Sequence, residues 1–180
     1  MSALNQFVLF AEYNKLMNQR IMAAASQLSC AGLTSDRGAF FKSVLGTLNH
    51  ILVGDVIWLK RFVSHPASSK ALESVNKLDH PKALNTMLFD DLESLRAERE
   101  NIDEILINWI ASLSESDMED HLSYQNMVGE PQNKRVESLI SHLFLHQVHH
   151  RGQATTLLSQ SGVDFGDTDI LEIIGETSRL

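Results

Sequence analysis

The sequence predicts an all-α protein built as a four-helix bundle. Four stretches of about 22 to 30 residues place apolar side chains at helical spacing. One short extended excursion, between the third and fourth stretches, interrupts the helical pattern. A chain of 180 residues can bury one real core but not two large ones, so residues 1–180 are read as a single domain. Packing four amphipathic helices stripe to stripe is the economical way to bury those faces.

The first helix runs from about Leu4 to Leu28, with Phe7, Phe10, Ala11, Met17, Ile21, Ala25 and Leu28 on one face. Asn14 and Asn18 fall in the same arc; buried amides need partners, either in a polar site or on a neighbouring helix. Gly32-Leu33-Thr34-Ser35-Asp36 supplies a stop and a new N-cap. A second helix follows from about Arg37 to Val63, striped by Phe40, Val44, Leu48, Ile51, Trp58 and Phe62. Asp55 sits in mid-stripe, where an unpaired carboxylate is costly. His50 lies on the flank, beside Thr47 and Gly54, whose small side chains leave room for an imidazole.

His65-Pro66 ends that helix, and a polar linker follows at 67–70. Asp79-His80-Pro81 opens the third helical region, with proline tolerated in the first turn. Leu84, Leu88, Leu95, Ile102, Leu106, Trp109 and Leu113 form its stripe. Its Glu- and Arg-rich side reads as a solvated face with intrahelical pairs. Ser114 to Asp117 breaks the pattern. From His121 to Pro131, alternation around Tyr124 with turn residues Gly129 and Pro131 predicts an extended excursion or short hairpin. The last long helix spans about Val136 to Gln160, and the tail around Asp169–Ile174 suits a short helix packed on the outside.

Composition narrows the function classes. The formal net charge is −8, and Lys60-Arg61 and Lys134-Arg135 are isolated pairs, so nucleic-acid binding is disfavoured. One cysteine, Cys30, excludes an internal disulfide, suits a reducing compartment and reads as a small buried residue near a helix end. With no signal peptide and no apolar run of ~18 residues, the expectation is a cytoplasmic protein that does not meet a membrane.

Chemistry concentrates in His142-Leu143-Phe144-Leu145-His146-Gln147-Val148-His149-His150-Arg151-Gly152-Gln153. Residues four apart on a helix stack one turn above the other, so His146 and His150 can share a metal ion. Both project into the apolar arc with Gln147, whereas His142 and His149 fall on its flank. His50 is a candidate third ligand near the inward Asp55. His65 and His80 precede prolines at helix boundaries and read as structural; His121 could line an entrance but is not read as a ligand. Asp55 could accept from a ligand imidazole and Gln153 could hydrogen-bond a ligand or substrate, while Arg151 reads as a surface or interface residue.

Other chemistries lack their signatures. His146 is followed by Gln147 rather than glutamate, so there is no zincin His-Glu-x-x-His, and no Glu-x-x-His of a ferritin-like di-iron site occurs. His50 and Asp55 match a hemerythrin-type His-x-x-x-x-Asp, but the His-x-x-x-Glu of that class is missing.

Leu48-Asn49-His50-Ile51 through Asp55-Val56-Ile57-Trp58-Leu59, with His146-Gln147-Val148-His149-His150-Arg151-Gly152-Gln153, resembles the DinB/YfiT-like superfamily. Tyr124-Gln125-Asn126, Gly129-Glu130-Pro131 and Asp169-Ile170 resemble its DinB branch, whose name refers to damage-inducible bacterial genes. Leu145 departs from it, standing where close relatives are expected to have asparagine. The resemblance implies an up-down-down-up bundle, often a homodimer, with a divalent metal on His50, His146 and His150. It further implies a small-molecule substrate and a thiol-dependent S-transferase or a metal-dependent hydrolase. The metal is then zinc or nickel, with a low-molecular-weight thiol as a candidate co-substrate. A non-catalytic metal-binding protein or a stress-induced dimeric bundle is the alternative.

Overall fold

The computed structural model describes residues 2–68 and 70–174. Ser69 of the expected linker lies outside them, as do both ends of the expected domain, Met1 and 175–180. The architecture is all-α apart from one two-stranded hairpin. Its elements are α1 (Ala3–Ala25), α2 (Cys30–Thr34), α3 (Val44–Phe62), α4 (Leu92–Ser112), α5 (Glu115–Glu119), β1 (His121–Gln125), β2 (Pro131–Arg135) and α6 (Val136–Gln160). Short 3-10 turns at Glu73–Lys77 and Ile170–Ile173 complete the described residues. No helix among them is long and apolar enough to cross a membrane.

Helix starts follow local capping chemistry. Ser2, Ser43 and Asp91 each accept a hydrogen bond from the backbone N–H three residues on, which satisfies a donor that the first helical turn leaves open. α1 packs on α4 and α6, and α3 packs on α6. Ile21, Leu45, Leu52, Phe62, Ile102, Trp109, Ile140 and Leu158 fill the core between them. α3 is the central element: of its residues, only Trp58, Lys60 and Arg61 escape full burial. In the hairpin, β1 and β2 pair antiparallel, His121 opposite Arg135 and Gln125 opposite Pro131. The Ile170–Ile173 turn lies against α1, where Arg20 pairs with Glu172 and Tyr13 donates to the Thr168 carbonyl.

Two expected helix starts are displaced. The second helix begins at Val44 rather than about Arg37, because Ser43 is its N-cap and α2 occupies the region expected only to turn. Phe40 therefore leaves the apolar stripe and is 83% exposed, while Phe41 is buried. Gly46 makes this entry possible, since a Cβ there would sit 2.1 Å from the Phe41 carbonyl oxygen. The third helix begins at Leu92 rather than Asp79. Residues 79–91 instead form an irregular segment over α3 that leaves Leu84 exposed. Cys30 is exposed, not buried, at the start of α2.

The largest correction concerns polar residues. Arg99 and Asp103 are buried rather than part of a solvated face, and Arg151 is buried rather than at the surface. Arg99 pairs with Asp55 and lies 2.9 Å from Asp103. Asn14 and Asn18 donate to Asp103, and Arg151 donates to the side-chain oxygens of Asn14, Asn18 and Gln147. Gln147 donates to Asp55. These seven side chains join α1, α3, α4 and α6 through the middle of the molecule, with two carboxylates facing two guanidinium groups. Burial pushes the Asp55 carboxyl up to about 6 against the opposing pull of Arg99, which leaves it mostly ionised at pH 7.

Candidate metal centre

α3 and α6 bring three imidazoles together. His50 Nε2 lies 3.2 Å from His146 Nε2 and 3.1 Å from His150 Nε2. Among the described residues these three form the group of side chains able to hold a metal ion. The buried network explains why α6 presents this face. Gln147 and Arg151 form one i,i+4 ladder locked to the neighbouring helices, and His146 and His150 form a second, one residue earlier. A one-residue step rotates by ~100°, so fixing the first ladder in the core turns the second toward α3.

Hydrogen bonds set the tautomers. His50 Nδ1 lies 2.8 Å from the Leu84 carbonyl oxygen, which can only accept, so Nδ1 carries the proton and Nε2 presents a lone pair. His150 Nδ1 lies 2.8 Å from Gln153 Oε1, with the same consequence. The Gln153 amide nitrogen faces His149 Nε2 at 3.3 Å. His146 Nδ1 is buried without a partner, so its one proton is available to only one neighbour. Two bare nitrogens, those of His50 and His150, therefore meet at 3.1 Å with no proton between them. Lone pairs in that position call for a cation.

The residues fit one. Metal–nitrogen bonds of about 2.0–2.1 Å place ligand nitrogens roughly 2.8–3.4 Å apart for angles between octahedral and tetrahedral, which brackets the two separations from His50. Ligand histidines must also be uncharged. Burial lowers His50 to about 4 and His146 to about 3, and it lowers His150 as well. All three are neutral at pH 7.

The supporting residues were only partly legible. Asn49 Oδ1 accepts from the N–H groups of Leu88 and Phe89, and its Nδ2 donates to the Phe89 and Leu45 carbonyls. That amide ties the irregular segment 79–91 to α3 and so holds the Leu84 carbonyl on His50. Phe41 stacks on His50 with ring centroids 3.7 Å apart and meets His150 edge-on. Neither role has a sequence signal, because both depend on a non-helical segment folding back. Gly54 makes room for an imidazole, but for His146 rather than His50: a Cβ there would meet His146 Cε1 at 2.6 Å. Asp55 does not serve a ligand imidazole; its hydrogen bonds go to Arg99 and Gln147. Replacing Asn49 with alanine is expected to weaken metal binding about 10–100-fold. Competition with a coloured chelator measures it.

The triad floors a cleft of about 710 Å³. Trp58, Arg61 and Tyr124 line it together, and Met127 and Val128 at the hairpin tip line it too. His142 and His149 also line the cleft, whereas His121 is exposed on the hairpin away from it and His65 is buried beside Asp120.

A family model described as "DinB family" matches residues 1–177. The chain belongs to the DinB family. It is also 26% identical over 160 residues to Protein DinB of Bacillus subtilis (strain 168), which covers 88% of this chain and 87% of that relative. No solved structure matches. The three-histidine cluster in a DinB-family chain fits a metal-binding protein.

Proposed function

We propose that this DinB-family protein is a divalent-metal-dependent enzyme acting on a small molecule. His50, His146 and His150 hold one ion, zinc or nickel, and the nucleophile is water or a low-molecular-weight thiol. The observation that carries the reading is the lone-pair contact between His50 and His150 at 3.1 Å, with both Nδ1 protons committed elsewhere. Three protein ligands beside an open cleft leave positions for substrate, as in catalytic rather than structural sites.

A divalent ion bound there supplies Lewis acidity and lowers the pKa of water or thiol. The remaining work falls to the chain. Leu84 and Gln153 hold the Nδ1 protons of two ligands and so fix their rings, and Phe41 covers one face of His50 against water. His142 lines the cleft one turn before His146, and its pKa is lowered by burial and by the Arg61 charge. It is neutral at pH 7 and able to take a proton from a nucleophile or return one to a leaving group.

The wider reading includes an up-down-down-up order of the four long helices, a homodimer and a cytoplasmic location. The exposed Leu145 and Val148 on α6 support the dimer, and the exposed, unpaired Cys30 supports a reducing compartment. The catalytic reading is tested by incubating zinc- or nickel-loaded protein with a panel of thiols and electrophiles and following products by mass spectrometry. Turnover that a chelator abolishes is expected. No turnover with water, thiol or any acceptor in the panel would leave a non-catalytic metal-binding protein.

A further inference from the structure

Arg61 is out of place for an ordinary surface arginine. It is half-buried in the cleft wall, on the last turn of α3. Its guanidinium carbon lies 4.5 Å from the Trp58 ring centroid and 4.8 Å from that of Tyr124. The two rings meet edge to face with centroids 5.3 Å apart, so the cation sits in the corner they make. Burial lowers its pKa. Yet among the described residues Arg61 has no carboxylate partner and no side-chain hydrogen bond, in a chain whose net charge is −8.

The contrast with the other arginines is informative. Arg20, Arg96, Arg99 and Arg135 all pair with carboxylates, Arg151 donates to three amide oxygens, and Arg37 donates to the Gly32 carbonyl. Among the described arginines, Arg61 alone has neither a hydrogen-bond acceptor nor a carboxylate partner while bearing the cost of partial desolvation. Aromatic contacts hold the group in place through its faces and leave the N–H fork for an in-plane acceptor.

We propose that Arg61 is an anion subsite and that the small molecule taken by the cleft carries a carboxylate, bound by this guanidinium, with its apolar body against Trp58 and Tyr124. A carboxylate matches the fork with two parallel hydrogen bonds. One guanidinium, with no lysine or second arginine lining the cleft, balances one negative charge rather than the two of a phosphate monoester. His142 lies beside Trp58, with centroids 5.1 Å apart, and His146 beside His142 at 5.9 Å. The subsite thus shares a continuous wall with the histidine triad, and a bound acid would extend toward it. The inference rests on reading the cleft as a small-molecule site, but not on the ion.

The test compares phenylpropanoate with its neutral analogue phenylpropanol by titration calorimetry, on metal-free and on zinc-loaded protein. In both forms of the wild type the acid is expected to bind about tenfold or more tightly than the alcohol. Arg61→Gln removes that preference, and Arg61→Lys keeps part of it; circular dichroism checks that both variants remain helical. Failure of the acid to bind the wild type better than the alcohol overturns the proposal, as does a preference that survives Arg61→Gln. A preference that appears only with zinc and persists in Arg61→Gln places the carboxylate on the metal, which also overturns it. A preference in metal-free protein that Arg61→Gln removes, from a chain that takes up no zinc, supports the subsite and sinks the metal reading alone.

Discussion

Replacing Arg99 with leucine is expected to destabilise the protein by about 3–5 kcal/mol at pH 7. Arg99 stands between the carboxylates of Asp55 and Asp103, and all three side chains are at most 2% exposed. Without that guanidinium, Arg151 is the one cation left to balance two buried carboxylates, which it meets only through the amides of Asn14, Asn18 and Gln147. One negative charge then stays uncompensated in a dry interior. The loss carries a pH signature. Asp55 already has its pKa raised to about 6, with Arg99 holding it down; removing Arg99 raises it further. A carboxyl whose folded pKa is raised costs most where it is forced to ionise, so the deficit should shrink as pH falls from 8 toward 5. Urea unfolding of wild type and variant at the two pH values measures both effects. A deficit below about 1 kcal/mol would show that Arg99 does not neutralise this site.

Replacing His146 with leucine is expected to have opposite effects with and without metal. In the metal-free protein His146 carries a buried Nδ1 with no partner, a group whose desolvation costs about 1–3 kcal/mol. Leucine removes that cost, suits a helix and fills the space beside Gly54. The metal-free variant should melt no lower than the wild type. With zinc at about 100 times its dissociation constant, the wild type should gain about 2.7 kcal/mol and the variant little. Such a crossover marks a residue kept for a ligand rather than for packing. A metal-free variant that melts far below the wild type would instead mark His146 as a core residue.

Helix existence and the facing of α6 were legible because both follow from periodicity. The stripe of Val136, Leu139, Ile140, Leu143, Ala154, Leu157 and Leu158 orients the helix, and the histidine pair follows from it. His50 was visible as a lone histidine on its own helix, and the family resemblance singled it out. The misread parts share one cause: periodicity cannot see what a segment does when it stops being helical. Leucines 84 and 88 keep helical spacing inside an irregular segment held by Asn49, and Phe40 keeps it ahead of the true cap at Ser43. The buried arginines were misassigned for a related reason. Arg99 and Arg151 read as surface residues by type, and only the sum of seven polar side chains from four helices makes their burial favourable. The inward Asp55, Asn14 and Asn18 were the available clue, since polar groups on two apolar stripes need partners near one another.

If the three neutral imidazoles on α3 and α6 are there to hold an ion, the protein should retain one through purification. Elemental analysis of purified wild type beside His146→Leu, after equal exposure to zinc and nickel and removal of loose metal, tests it most directly. About one tightly held ion per wild-type chain and a large loss in the variant are expected. Equal and negligible metal in both proteins would contradict a metal-holding role.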